Sequence, residues 1–171
     1  MALRVSSLLR ELAPDWPIVL VCPEGGDSAA ANGVSLAAEI NVKRAGQWMY
    51  LPTQYDVRPL VKIVSAAVNT HRPDIALFWG GMEYLHDSVP NMPVSISDRV
   101  DCMTLSAWRA LTHSRTYAEV RQRVANLAYV FRYEFQMRHE SKATVVVGGA
   151  DADVLTRIVR VPNVRVIANG V

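Results

Sequence analysis

The chain has 171 residues, of which 50% are apolar and 20% charged, and its formal net charge is +2. That length fits one domain with a real hydrophobic core, and the composition is that of an ordinary globular protein. So small a charge, with Lys and Arg spread out rather than run together or interleaved with aromatics, gives no footprint for nucleic acid.

Two cysteines, Cys22 and Cys102, lie far apart with nothing around them that reads as a metal site, so a reduced cytoplasmic setting is the simplest expectation. Arg4, Arg10 and Glu11 interrupt the first apolar stretch, which is not the unbroken core of a signal peptide. No stretch approaches the ~20 apolar residues of a membrane span.

In chain order, Val5, Leu8, Leu9 and Leu12 recur at helical spacing, and Pro14 ends that helix. Residues 18–22 form a continuous apolar run, a strand buried on both faces. Residues 28–46 are small and polar and resist assignment, 48–51 reads as a short strand, and 56–71 as a helix with Val57, Leu60, Val61, Val64 and Val68 on one face. Strands are predicted at 75–79 and 93–97, then a helix over 101–113. A long helix over 116–139 carries Val120, Val124, Leu127, Phe131 and Phe135 along one stripe. A strand at 143–147, a helix over 150–159 and a strand at 164–167 complete the pattern. Strands alternating with helices, and apolar on both faces, predict an α/β fold: a Rossmann-like three-layer sandwich with a mostly parallel sheet.

Three predicted strands end in a glycine pair, Gly25-Gly26, Gly80-Gly81 and Gly148-Gly149. In a parallel sheet these loops share the carboxyl edge, where open α/β sheets bind ligands at a switch point of strand order. Glycine lets a backbone amide approach a ligand, and it equally serves turns that need positive φ. Neither a dinucleotide fingerprint nor a phosphate-loop lysine accompanies them.

The last third carries a resemblance. Tyr133-Glu134, then Lys142-Ala-Thr-Val-Val-Val-Gly-Gly-Ala-Asp-Ala-Asp-Val-Leu155, then Asn163-Val-Arg-Val-Ile-Ala-Asn-Gly-Val171 resemble the end of the N-terminal domain in the large retaining GT-B glycosyltransferase family. Upstream, Pro73-Asp-Ile-Ala-Leu-Phe78 and Pro93-Val-Ser-Ile-Ser-Asp-Arg-Val-Asp101 are similar to two of its strands, and residues 3–13 to its first helix. Ala168 stands where that family has proline, and Gly148-Gly149 where it has serine.

The resemblance implies that residues 1–171 are a single acceptor-side domain, a fragment lacking the family's first strand and its donor-binding domain. It implies a nucleotide-sugar donor used as substrate, a sugar or lipid-linked acceptor, a polysaccharide or glycolipid product, and neither cofactor nor metal. The isolated chain is then expected not to transfer sugar. A non-catalytic Rossmann-like module binding a nucleotide or a protein, and half of a sugar-nucleotide epimerase, are the alternatives. The strand missing from the family pattern leads us to expect a homodimer or larger assembly, because unpaired strand edges invite a partner.

Site residues follow from that placement. Asp98 sits just past a strand end, where a carboxylate would orient an acceptor hydroxyl or balance oxocarbenium charge, or simply cap a loop. Asp101 is either a cleft residue or the N-cap of the next helix. Arg4, Gly80, Gly81, Gly148 and Gly149 are the remaining cleft candidates. Trp79 and Glu83 flank Gly80-Gly81, with Trp79 either stacking on a sugar or filling core. Asp151 and Asp153 read as stabilisers of the helix they open. None of the four histidines pairs at metal-ligand spacing, although His86 and Asp87 are adjacent. Leu105, Trp108 and Leu111, with Arg109 and Arg115, would either face a membrane, consistent with a cytoplasmic protein peripheral to the inner membrane face, or pack on the sheet.

Overall fold

The structure, a computed structural model, describes residues 2–23, 35–42, 57–79 and 82–168. They fall into two compact units, residues 1–73 with 88–92 and residues 74–87 with 93–171. The architecture is α/β with parallel sheets, consistent with the Rossmann-like class expected from the sequence.

In the first unit, helix α1 (Ala2–Leu12) is followed by strand β1 (Val19–Pro23), strand β2 (Ala38–Val42) and helix α2 (Arg58–His71). β1 and β2 pair in parallel, with Val21 opposite Ile40. β2 lies inside the stretch that resists assignment from sequence. Its apolar residues alternate with Glu39 and Asn41, which is the period of a half-exposed strand rather than of a doubly buried one. The strand expected at 48–51 lies outside the described residues. α2 opens on a proline in its first turn, where the missing amide costs nothing. It stops at Arg72, a left-handed cap with φ 46° whose N–H returns to the Val68 carbonyl, just ahead of Pro73. Leu60, Ala67 and Val68 form its buried face.

The second unit holds strands β3 (Ile75–Trp79), β4 (Val94–Asp98), β5 (Ala143–Val146) and β6 (Val164–Val166) in one sheet. All are parallel and follow one another in sequence order, β3-β4-β5-β6. Among the described strands that order never reverses, so this sheet supplies no switch-point crevice of the kind expected from the glycine pairs. A short helix α3 (Leu85–Ser88) follows β3; α4 (Met103–Thr112) and α5 (Tyr117–Gln136) connect β4 to β5; α6 (Gly149–Val154), continued by a π-helical turn over Leu155–Val159, connects β5 to β6.

Cys102, Val146, Leu155, Val159 and Val161 form the buried core of this unit, with Leu105, Phe131 and Val164 packed against it. α5 begins on a capping box, Thr116 and Glu119 each bonding the other's backbone amide. Its apolar stripe is not wholly internal: Val120, Val124 and Phe135 are exposed, and burial concentrates at Val130, Tyr133 and Glu134. The exposed valines lie in the half of α5 nearest the turn from α4, and the buried residues in its second half, which faces the start of α4 through Glu134.

Candidate functional site

Strand alternation divides the residues of β4 between the two faces of the sheet. Asp98 shares a face with its register partners Trp79 and Val145. Ser95 and Ser97 point the other way, with Thr144 and Val146, onto the side of the Cys102–Leu155 core. Two polar groupings therefore gather near the carboxyl ends of β3 and β4, one on each face.

The helix-covered side carries the larger one. A helix leaves its first four backbone amides without intrahelical partners. At the start of α4 the amides are met in turn. The amide of Cys102, the N-cap, donates to Asp151 Oδ1 at 2.9 Å. Met103 N donates to Glu134 Oε1 and Thr104 N to Glu134 Oε2, both at 3.0 Å. Leu105 N donates to Cys102 Sγ at 3.4 Å. Asp101, expected from its residue type to be the cap, is exposed and one position too early; the thiol of Cys102 does the capping. Asp151 reaches across to α4 and makes no side-chain cap on the helix it opens. That reach explains Gly148: a Cβ there would stand 2.8 Å from Asp151 Oδ2. Gly148 has φ −113°, so neither a left-handed turn nor a ligand is needed to account for it. Gly149 is exposed, and a Cβ there would meet nothing within 4 Å.

Glu134 also anchors a buried ionic group. Arg99, which follows β4, places Nε 2.6 Å from Glu83 Oε1 and a terminal guanidinium nitrogen 3.6 Å from Glu134 Oε1. Ser97 Oγ donates to the same Glu83 oxygen. Glu83 and Glu134 are fully buried and Arg99 is 4% exposed. Burial alone would raise the Glu83 carboxyl, but the charge of Arg99 and the Ser97 hydroxyl hold it below the usual carboxylate range. Burial alone would lower Arg99, and the two glutamates hold it above its ordinary value. Glu83 and Arg99 therefore both stay charged. Burial pushes the neighbouring Cys102 thiol up to about 12, reinforced by the charge of Glu134, which leaves it an inert cap and no nucleophile.

On the other face, Trp79 Nε1 donates to Asp98 Oδ2 at 3.1 Å. Asp98 is 3% exposed and ends β4. Trp79 is thus neither a free stacking platform nor plain core; its ring nitrogen fixes a carboxylate. Arg4 falls within α1, in the first unit, and Gly80 and Gly81 lie outside the described residues. Of the patch considered for a membrane, Trp108 is 55% exposed while Leu105 packs on the core. No helix among the described residues is long and apolar enough to cross a membrane.

A third grouping has no signature in the sequence as a whole. His86 on α3 and Glu140, just past a 3-10 turn at the end of α5, approach each other: His86 Nδ1 lies 3.6 Å from Glu140 Oε2 and 3.7 Å from Asp87 Oδ1. Burial raises the Glu140 carboxyl, and the facing carboxylate of Asp87 raises it further. The adjacency of His86 and Asp87 is legible; the arrival of Glu140 depends on the α4–α5 connection and carries no local signal.

Fold and polar groups together define a parallel α/β domain with charged groups gathered at the carboxyl edge of its larger sheet. Comparison with protein-family models, with curated proteins and with solved structures finds no match for the chain.

Proposed function

We propose that the chain is the acceptor-side α/β domain of a nucleotide-sugar-dependent glycosyltransferase that builds a polysaccharide or glycolipid, with Asp98 as the carboxylate that takes an acceptor hydroxyl. The observation that carries this reading is the setting of Asp98: it terminates a parallel strand, it is nearly excluded from water, and Trp79 Nε1 holds one of its oxygens. The motif resemblance around Pro93–Asp101, which includes Asp98, and around Lys142–Val171 supports it as well. A carboxylate so held can accept a hydrogen bond from a sugar hydroxyl and draw off its proton as the hydroxyl becomes a nucleophile. Shielding from water strengthens that interaction.

The experiment titrates the purified chain with a panel of mono- and oligosaccharide acceptors and with nucleotide sugars, followed by isothermal calorimetry and amide chemical shifts. Acceptor binding is expected without need of a donor. A hydrogen bond to a charged group contributes about 1.5–3 kcal/mol, so Asp98→Ala should weaken acceptor binding by roughly 10–150-fold while the protein stays folded. Binding of nucleotides alone, with saccharides ignored, or saccharide binding that Asp98→Ala leaves intact, refutes the assignment.

A further inference from the structure

We propose that His86, Asp87 and Glu140 form a metal site that takes one divalent first-row transition ion, with Zn²⁺ the best fit. The site shares no residue with the Asp98–Trp79 pair and does not depend on the glycosyltransferase reading.

Three observations carry it. One ligand atom from each residue falls within 4.8 Å of the other two. The two measured separations, 3.6 and 3.7 Å, are too long for hydrogen bonds. They are close to the spacing of ligands around one ion: atoms about 2.1 Å from a tetrahedral Zn²⁺ stand roughly 3.4 Å apart. Second, His86 Nδ1 is itself buried and has no hydrogen-bond partner, although the ring as a whole is 35% exposed. A buried ring nitrogen without a partner bears the full cost of its lost hydration, which coordination to a cation would remove. Third, the carboxylates of Asp87 and Glu140 face each other, and among the described residues no Lys or Arg pairs with either. The two carboxyls lie within hydrogen-bond reach of each other beside a lone nitrogen donor, and a cation placed among the three would be met by all of them.

The ligands are held from behind. Glu140 is fixed at its backbone, whose carbonyl accepts from Ser95 Oγ at 3.0 Å, and Lys142 N bonds the Ser95 carbonyl at 2.8 Å. On the other side His86 N bonds the carbonyl of the buried Glu83 at 2.9 Å. Both ligand segments are thereby anchored to groups of the four-stranded sheet unit, as a pre-organised site requires. The donor set selects the metal. One imidazole with two carboxylates suits Zn²⁺ and its neighbours, whereas Mg²⁺ and Ca²⁺ prefer oxygen ligands only. The Asp87 side chain is 74% exposed, so the ion would meet solvent on that side and keep a position for water or for a ligand oxygen.

The test uses the full chain stripped with a chelator. Titration with Zn²⁺ by calorimetry should show one ion per chain. Co²⁺ should give intense visible absorption of tetrahedral type that Zn²⁺ displaces. Asp87→Asn, at an exposed carboxylate, and His86→Gln should each weaken Zn²⁺ binding at least about tenfold and dim the Co²⁺ bands. His113→Gln, at an exposed histidine elsewhere, should leave both unchanged. Far-UV circular dichroism confirms that the variants are folded, and Asp87→Asn decides the matter if His86→Gln is not. Failure to bind Zn²⁺ at micromolar concentration, or one-to-one binding that Asp87→Asn leaves intact, overturns the site.

Discussion

Removing the Glu134 carboxylate should unfasten the start of α4, and the size of the effect follows from what the carboxylate touches. It accepts two backbone amides, from Met103 and Thr104, both at 3.0 Å, at the positive end of a helix, and it is one of the two glutamates facing Arg99. Hydrogen bonds to charged groups contribute about 1.5–3 kcal/mol each, and breaking a buried ion pair from one side costs about 3–5 kcal/mol. These overlap, because the same oxygens serve both. Glu134→Ala should therefore destabilise by about 3–5 kcal/mol, which for a chain of this size lowers Tm by roughly 6–20 °C. Glu134→Gln keeps the volume and one acceptor, and should cost about half as much, roughly 1.5–3 kcal/mol. Urea and thermal unfolding by circular dichroism measure the totals. Hydrogen exchange locates them, since the Met103 and Thr104 amides should lose protection before the rest of α4. A Glu134→Ala variant within about 0.5 kcal/mol of the parent, the range of ordinary surface substitutions, would refute the argument that this carboxylate closes the helix.

Two further outcomes are expected. Glu83 is held below the ordinary carboxylate pKa, so the stability it contributes is present above the unfolded value of about 4.3 and is lost as pH falls through its lower folded value. Acid titration of stability should show that loss in the parent, and Glu83→Gln, already destabilised at neutral pH, should show a shallower slope below about pH 4; equal slopes would contradict the Arg99 pairing. For the cysteines, Cys102 is fully buried and its thiol is raised to about 12, so iodoacetamide on the native chain should modify Cys22 at most, with Cys102 reacting only in denaturant. Mass spectrometry of the native digest settles it, and a labelled Cys102 would mean that α4 opens readily.

Sequence and structure agree where the signal is local. The apolar runs at 18–22 and 75–79 and the period-3.6 stripe of α2 mark elements that fall within a residue or two of their expected bounds. β2 does not stand out, because Glu39 and Asn41 alternate with its apolar residues, and the strands of a parallel fold are marked by unbroken apolar runs. The polar groups at the carboxyl edge are legible only in part. Asp98 is marked by its position after a strand, and its partner Trp79 by its place beside a glycine pair, but the bond between them joins separate strands. Arg99 and Glu134 carry no periodic signal, because their burial is set by one another. Asp151 sits in the first turn of its own helix as expected, and its bond to the Cys102 amide of α4, set by tertiary packing, carries no sequence signal.

The distribution of work among the acidic residues narrows where chemistry can occur. Glu83 is committed to Arg99 and Ser97, Glu134 to Arg99 and two amides, and Asp151 to the Cys102 amide. Each of these residues is buried, and replacing Glu134 or Asp151 disturbs the α4 junction before it could disturb a ligand. A carboxylate that must hold a helix end in every state cannot also release its partners to bind a substrate hydroxyl or shuttle a proton. Asp98 lies on the other face of the sheet, where an indole N–H orients its carboxylate. Asp87 and Glu140 are different, since they face a bare ring nitrogen. The His86–Asp87–Glu140 group is therefore a place where substitution can alter binding while leaving the fold in place, and it can be probed separately from Asp98 because the two share no residue.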